Sequence, residues 1–117
     1  MEFEIGLQDI KFYAFLGVEE FERVIGNEFV VSLFVKKSFH KVMEKDDISN
    51  SISYVDLYEI VNEEIKKPRK LLETVAVDIS YRIKEKFGQE VTGKIKIEKV
   101  HPPIPGMLGK AYVCLSF

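Results

Sequence analysis

The sequence has little sulfur and little histidine: one cysteine and two histidines in 117 residues. A single thiol, Cys114, excludes an internal disulfide, and its place in an alternating segment reads as a small core residue. Two histidines and one cysteine are too few and too scattered to make a metal set of familiar ligand spacing. There is no glycine-rich phosphate loop and no serine in a nucleophile elbow. No stretch approaches the ~18 apolar residues of a membrane span. The opening Met1-Glu2-Phe3-Glu4 is acidic and lacks the apolar run of a secretory leader, so a cytoplasmic location is expected. Excess charge of one sign is missing as well. Seventeen basic residues face 19 acidic ones, a net charge of -2, which gives no case for a nucleic-acid partner. Internal repeats of solenoid period are absent.

What is present is the composition of a folded, soluble chain: 46% hydrophobic and 31% charged residues. The length suits one domain over residues 1–117, with roughly two-thirds of the unfolded surface buried. Residues 2–14 predict a strand. Phe3, Ile5 and Leu7 alternate with polar residues or glycine, and Ile10, Phe12 and Ala14 are read as continuing the same face. Residues 17–27 predict a charged loop closed by the turn signal Gly26-Asn27. Residues 28–39 predict a second strand, with Phe29, Val31, Leu33 and Val35 on one face and Val30 and Phe34 on the other. Apolar residues on both faces imply burial against another chain.

Residues 44–51 are polar and turn-like. Ser53 and Asp56 match a capping box ahead of a helical stripe of Leu57, Tyr58, Val61 and Ile65. Pro68 interrupts that stripe, and the cations around it suit the C-terminus of the preceding helix. A second helix carries Leu72, Val75, Ala76, Ile79, Ile83 and Phe87 at spacings of three and four, and Gly88 ends it. Residues 91–101 and 109–117 predict two further strands, with Ala111, Val113, Leu115 and Phe117 on one face of the last. The order strand-strand-helix-helix-strand-strand predicts an α+β fold: a four-stranded antiparallel sheet with both helices on one face.

Lys99 stands out. It shares a strand face with Ile95 and Ile97 and is followed by Pro102-Pro103-Ile104-Pro105-Gly106. A strand-end lysine often snorkels to water. An ammonium held against an apolar face beside a rigid turn is instead a usable proton donor and acceptor. Glu73 sits in the first turn of the second helix, where the dipole alone accounts for a glutamate, or where a carboxylate can accept two hydrogen bonds from a planar donor edge. Tyr54 opens the first helix and either packs or offers a positioned phenol. Glu22 lies in the charged loop, where solvated glutamates are the rule. His101 follows Lys99 as a weaker candidate.

Together these segments resemble the dihydroneopterin aldolase family along nearly the whole chain. The resemblance rests on Ile5-Gly6-Leu7-Gln8-Asp9-Ile10-Lys11-Phe12-Tyr13-Ala14, on Gly17-Val18 with Glu22 and Gly26-Asn27, and on Asp46-Asp47 leading to Ser51-Ile52-Ser53-Tyr54. Leu71-Leu72-Glu73 and Lys99 with its proline turn complete it. It implies a tunnelling fold, in which sheets from several subunits close a β-barrel and the chain forms a homo-octamer of two tetrameric rings. It implies a retro-aldol cleavage of 7,8-dihydroneopterin in folate synthesis, without metal, organic cofactor or Schiff base. Lys99 would then move the protons, assisted by Tyr54. Glu73, with the Leu72 backbone, would anchor the pterin. Glu22 would contact the hydroxylated side chain and pair with Lys99. Sites would be shared between subunits.

This chain departs from the family pattern at Asn50-Ser51, where many members have Asp-Thr, at Leu16, where some have histidine, and at Asn27, where glutamine is usual. Two rival readings follow from the same residues. One is an epimerase acting on dihydroneopterin or its triphosphate, against which the acidic Glu19-Glu20-Phe21-Glu22 loop argues. The other is a non-catalytic pterin-binding assembly protein, which would need Glu73 but not Lys99.

Overall fold

Odd-numbered Phe3, Ile5 and Leu7 cannot share a face of a regular strand with even-numbered Ile10, Phe12 and Ala14, because strand side chains repeat every two residues. The chain solves this with a bulge. In the structure, a computed structural model that describes residues 1–38, 41–48 and 51–117, strand β1 (Glu2–Ala14) slips register between Leu7 and Ile10. Asp9 takes φ 56°, and its N–H bonds Ser32 Oγ at 3.0 Å. The extra residue turns Ile10, Phe12 and Ala14 back onto the face that Ile5 and Leu7 present, so both runs pack on one core.

β1 pairs with β2 (Asn27–Ser38), β2 with β3 (Thr92–Lys99) and β3 with β4 (Ala111–Ser116). All neighbours are antiparallel, in the order β1-β2-β3-β4. Helices α2 (Tyr54–Ile65) and α3 (Leu72–Phe87) lie side by side on the sheet, α2 over β1 and α3 over β3 and β4. The predicted ββααββ order and its antiparallel sheet are therefore present. One core joins the layers: Phe29, Val31, Leu33 and Val35 from β2, Ile95 and Ile97 from β3, and the apolar stripes of both helices. Each such side chain, fully buried, stabilises the fold by ~1.5–3 kcal/mol.

The hairpin of β1 and β2 outruns the shorter β3 and β4. The molecule measures 53 × 24 × 19 Å with a radius of gyration of 15.8 Å, against about 13 Å for a compact chain of this length. β1 and β4 are the edges of the sheet.

Several expectations need correction. The loop at 17–27 contains a short helix, α1 (Glu20–Ile25). Its apolar residues Phe21, Val24 and Ile25 face outward, so it leaves no core-facing stripe in the sequence. Ser53 occupies the N-cap of α2 but makes no side-chain cap bond, and Asp56 instead lies 3.6 Å from Lys86. Tyr58 does not join the buried stripe of α2; it is half-exposed and stacks on Phe12 at 5.9 Å, while Ile60 is buried in its place. Cys114 is exposed rather than part of the core, because β4 turns Tyr112, Cys114 and Ser116 away from the helices. The strands predicted at 91–101 and 109–117 are shorter, and the one at 28–39 begins at Asn27; Phe39 and Asn50 lie outside the described residues. Among the described residues, no helix is long and apolar enough to cross a membrane.

Candidate active site

Lys99 closes β3 opposite Phe29 of β2 and Ala111 of β4, on the core face set by Ile95 and Ile97. One more backbone bond follows, from the Val100 N–H to the Glu28 carbonyl at 3.0 Å, before Pro102 and Pro103, which have no N–H, end the pairing. The turn that follows is defined by its sequence. Met107 donates to the Ile104 carbonyl at 3.2 Å across Pro105-Gly106, with Gly106 at φ 80°, the conformation a type II turn requires at that position. Asn27 ties the turn to β2: its Nδ2 donates to the His101 carbonyl at 2.7 Å. The departure from glutamine to asparagine thus retains a working amide. Leu16, a second departure, is fully buried.

Glu22 arrives from α1. It occupies the third helical position, and its Oε2 accepts the Glu19 backbone N–H at 3.0 Å. Three hydrogen bonds fix the segment before it. Gly17 donates its N–H to the Arg69 carbonyl at 3.1 Å, and Arg23 Nη1 donates to the carbonyls of Gly17 and Val18 at 2.7 and 2.8 Å.

The two charges meet. Lys99 Nζ donates to Glu22 Oε1 at 2.7 Å, with the side chains only 11% and 6% exposed. This is the short, charge-assisted kind of hydrogen bond. Burial pushes the Glu22 carboxyl up, but the Lys99 hydrogen bond, the Glu19 N–H and the charges of Lys99 and Arg23 outweigh it. The group is held below its ordinary value of 4.5 and stays a carboxylate.

The pair faces a cleft of about 420 Å³ walled by Val18, Phe21, Leu72, Pro102, Pro103, Ile104 and Tyr112. A second cleft, about 640 Å³, lies on the other side of Phe21, Glu22 and Pro103 and reaches Tyr13, Asn27 and His101. Leu72 therefore reaches the cleft, and Glu73 follows it on the exposed first turn of α3. Tyr54 does not come to Lys99 within one chain. It is 64% exposed at the start of α2 and lines neither cleft. Among the described residues, no three His, Cys, Asp or Glu side chains converge where they could share a metal ion.

Relatives decide the family. The family model for dihydroneopterin aldolase (FolB) matches residues 5–116. The chain belongs to the dihydroneopterin aldolase family. It is 38% identical over 94 residues to dihydroneopterin aldolase 1 of Arabidopsis thaliana, covering 80% of this chain and 64% of that protein. It is 32% identical over 103 residues to dihydroneopterin aldolase of Staphylococcus epidermidis, covering 87% of this chain and 85% of that one. In structure it is similar to the E. coli dihydroneopterin aldolase solved in complex with neopterin, with a TM-score of 0.83, 20% identity and 97% coverage of both chains. A Burkholderia dihydroneopterin aldolase bound to guanine superposes with a TM-score of 0.72 at 13% identity, covering 99% of this chain and 90% of that one. Its fold is the tunnelling fold of this family.

Sequence reasoning gave no role to two residues behind the pair. Gly17 leaves room for Glu22: a Cβ there would lie 2.3 Å from Glu22 Oε2 and 2.5 Å from its Cβ. Gly17→Ala should therefore push the carboxylate off Lys99. The expected result is a loss on the order of 10²-fold in turnover with the circular dichroism spectrum unchanged, since misplacing a reacting group by ~1 Å has that effect. Arg69, whose carbonyl accepts the Gly17 N–H, is the other. Its sequence signal, a cation after a helix-ending proline, pointed only to the helix terminus.

Proposed function

We propose that this protein cleaves 7,8-dihydroneopterin by a retro-aldol reaction to 6-hydroxymethyl-7,8-dihydropterin and glycolaldehyde, a step in folate synthesis. The observation that carries the reading is the Lys99–Glu22 pair, a buried proton carrier and carboxylate 2.7 Å apart at the wall of an apolar cleft.

The reaction needs little else. A proton leaves the hydroxyl on the second side-chain carbon, the bond between the first and second carbons breaks, and its electron pair moves into the pterin ring. Glycolaldehyde departs, and a proton delivered to the first carbon completes the hydroxymethyl product. Lys99 moves these protons, working with water. Glu22 keeps the ammonium in place and accepts a hydrogen bond from the substrate's hydroxyls. Glu73, beside the Leu72 backbone, takes the ring's amino-pyrimidinone edge. Neopterin and guanine, with which two solved relatives are in complex, both carry an amino-pyrimidinone edge with adjacent N–H donors, the chemistry a carboxylate can accept.

Tyr54 completes the site from an adjacent subunit. Support for a ring of subunits comes from the open edges at β1 and β4, the elongated shape, and the exposed apolar residues Phe21, Val24 and Ile25 beside the second cleft. A homo-octamer of two tetrameric rings is the assembly this reading expects.

Incubating the protein with 7,8-dihydroneopterin should release glycolaldehyde and 6-hydroxymethyl-7,8-dihydropterin in equal amounts. Formation of an epimer alone would replace this reading with the epimerase, and binding without turnover would replace it with the pterin-binding protein.

A further inference from the structure

We propose that Arg69 is a positioning residue that sets the separation between the Glu22–Lys99 pair and the turn at Leu72-Glu73. The inference rests on the site described under the proposed function, and Arg69 touches none of the reacting atoms.

Its guanidinium, 13% exposed, binds on four sides at once. Nη1 donates to the carbonyls of Glu64 at 2.6 Å and Lys67 at 3.2 Å. Nη2 bonds the Glu64 carboxylate and lies 3.0 Å from Asp78 Oδ2. Glu64 belongs to the end of α2 and Asp78 to α3, so one planar group ties both helices to the segment that joins them. Pro68 lacks an N–H, and besides the guanidinium that segment is held by the Lys67 N–H to Glu64 carbonyl bond, 3.2 Å, the Lys67–Glu64 ion pair, 2.9 Å, and the backbone contacts of Arg69 itself.

Two routes lead from Arg69 to the site. Along the chain, Lys70 and Leu71 lead directly to Leu72 and Glu73. Across space, the Arg69 carbonyl accepts the Gly17 N–H at 3.1 Å, and Leu16 pairs with Arg69 as an isolated parallel bridge. Gly17 in turn lies against the Glu22 side chain. A shift of the Arg69 backbone is thereby transmitted to the proton-carrying pair and to the ring anchor from the same point. Lysine cannot replace it, because a single ammonium cannot bridge two carbonyls and two carboxylates.

The test compares wild type with Arg69→Lys, and with Val35→Ala as a control that thins the core at the end of β2 remote from Lys99 and from this bridge. Glu64 keeps Lys67 and Arg82 in the lysine variant, which is expected to fold. Should Arg69→Lys not fold, Asp78→Asn loosens only the α3 side of the guanidinium and should move the same readouts less.

Two readouts are taken. The first is kcat and KM for 7,8-dihydroneopterin. The second is the carbon-13 NMR titration of the Glu22 carboxyl, whose charged neighbours are Lys99 and Arg23 and which also accepts the Glu19 N–H. Arg69→Lys should lower kcat/KM by roughly tenfold or more, with both constants changing, because both halves of the site move. Its Glu22 midpoint should rise as the Lys99 hydrogen bond loosens. Val35→Ala should melt earlier and change neither readout. A lysine variant with wild-type kcat/KM and an unmoved Glu22 midpoint would overturn the inference. If the wild type itself does not cleave dihydroneopterin, the proposed reaction fails, and the Glu22 titration alone still decides whether Arg69 positions the pair.

Discussion

Lys99→Ala is expected to reduce the cleavage of 7,8-dihydroneopterin by ~10²–10⁴-fold, the range for loss of one acid–base group. The variant removes the group that carries protons and also leaves Glu22 buried without its cation. Lys99→Arg separates these effects. A guanidinium preserves the charge beside Glu22 but does not release a proton under any working condition. Activity in Lys99→Arg should therefore fall nearly as far as in Lys99→Ala, while thermal unfolding stays close to wild type. Glycolaldehyde release measures the first quantity and a melting curve the second. An arginine variant that retains wild-type turnover would show that Lys99 acts only as a charge, and the proton-shuttle role would have to go to another residue.

The second large effect is on stability. Glu64 is 2% exposed, and its carboxylate receives Lys67 at 2.9 Å, Arg82 at 3.0 Å and Arg69 at a shorter contact. Replacing it by alanine takes the carboxylate from the 13%-exposed Arg69, which keeps only Asp78 as an ion partner, while Lys67 and Arg82 reach solvent, so the loss should lie toward the low end of the ~3–5 kcal/mol for breaking a buried pair. Urea unfolding of Glu64→Ala should show that loss; a change under about 1 kcal/mol would mean that the network contributes little.

The same carboxylate makes stability depend on pH. Burial pushes Glu64 up, but hydrogen bonds from Lys67, Arg82 and Arg69 outweigh it and hold the group below 4.5. A carboxyl depressed in the folded state contributes stability that is present above 4.5 and lost as pH falls through the folded value. Wild-type stability should therefore decline below about pH 4.5, and Glu64→Gln should flatten that part of the curve.

Much of the architecture is legible because one-dimensional periodicity reports which side of an element is buried. The period of two in Phe29, Val31, Leu33 and Val35 identifies the core face of β2, and all four are buried. The spacing of Val75, Ala76, Ile79 and Ile83 does the same for α3. Elements that send their apolar residues elsewhere escape this reasoning. α1 was missed because Phe21, Val24 and Ile25 point outward, and the β1 bulge was missed because a change of parity looks like an alternation that merely pauses. The Glu64 network joins residues three, five and eighteen positions apart on two helices and their connecting turn. Its members read separately as ordinary surface charges.

The site divides the same way. By resemblance to its family, the sequence identified Glu22, Tyr54, Leu72, Glu73 and Lys99 as candidates. That resemblance also implied that Glu22 pairs with Lys99; the 2.7 Å contact across 77 positions, the reach of Leu72 into their cleft and the separation of Tyr54 in the single chain were decided only by the tertiary structure. The reason is physical. Which residues are buried is set by local pattern, whereas which residues touch depends on strand register, on the bulge that restores it, and on where a turn such as that at Arg69 is tied.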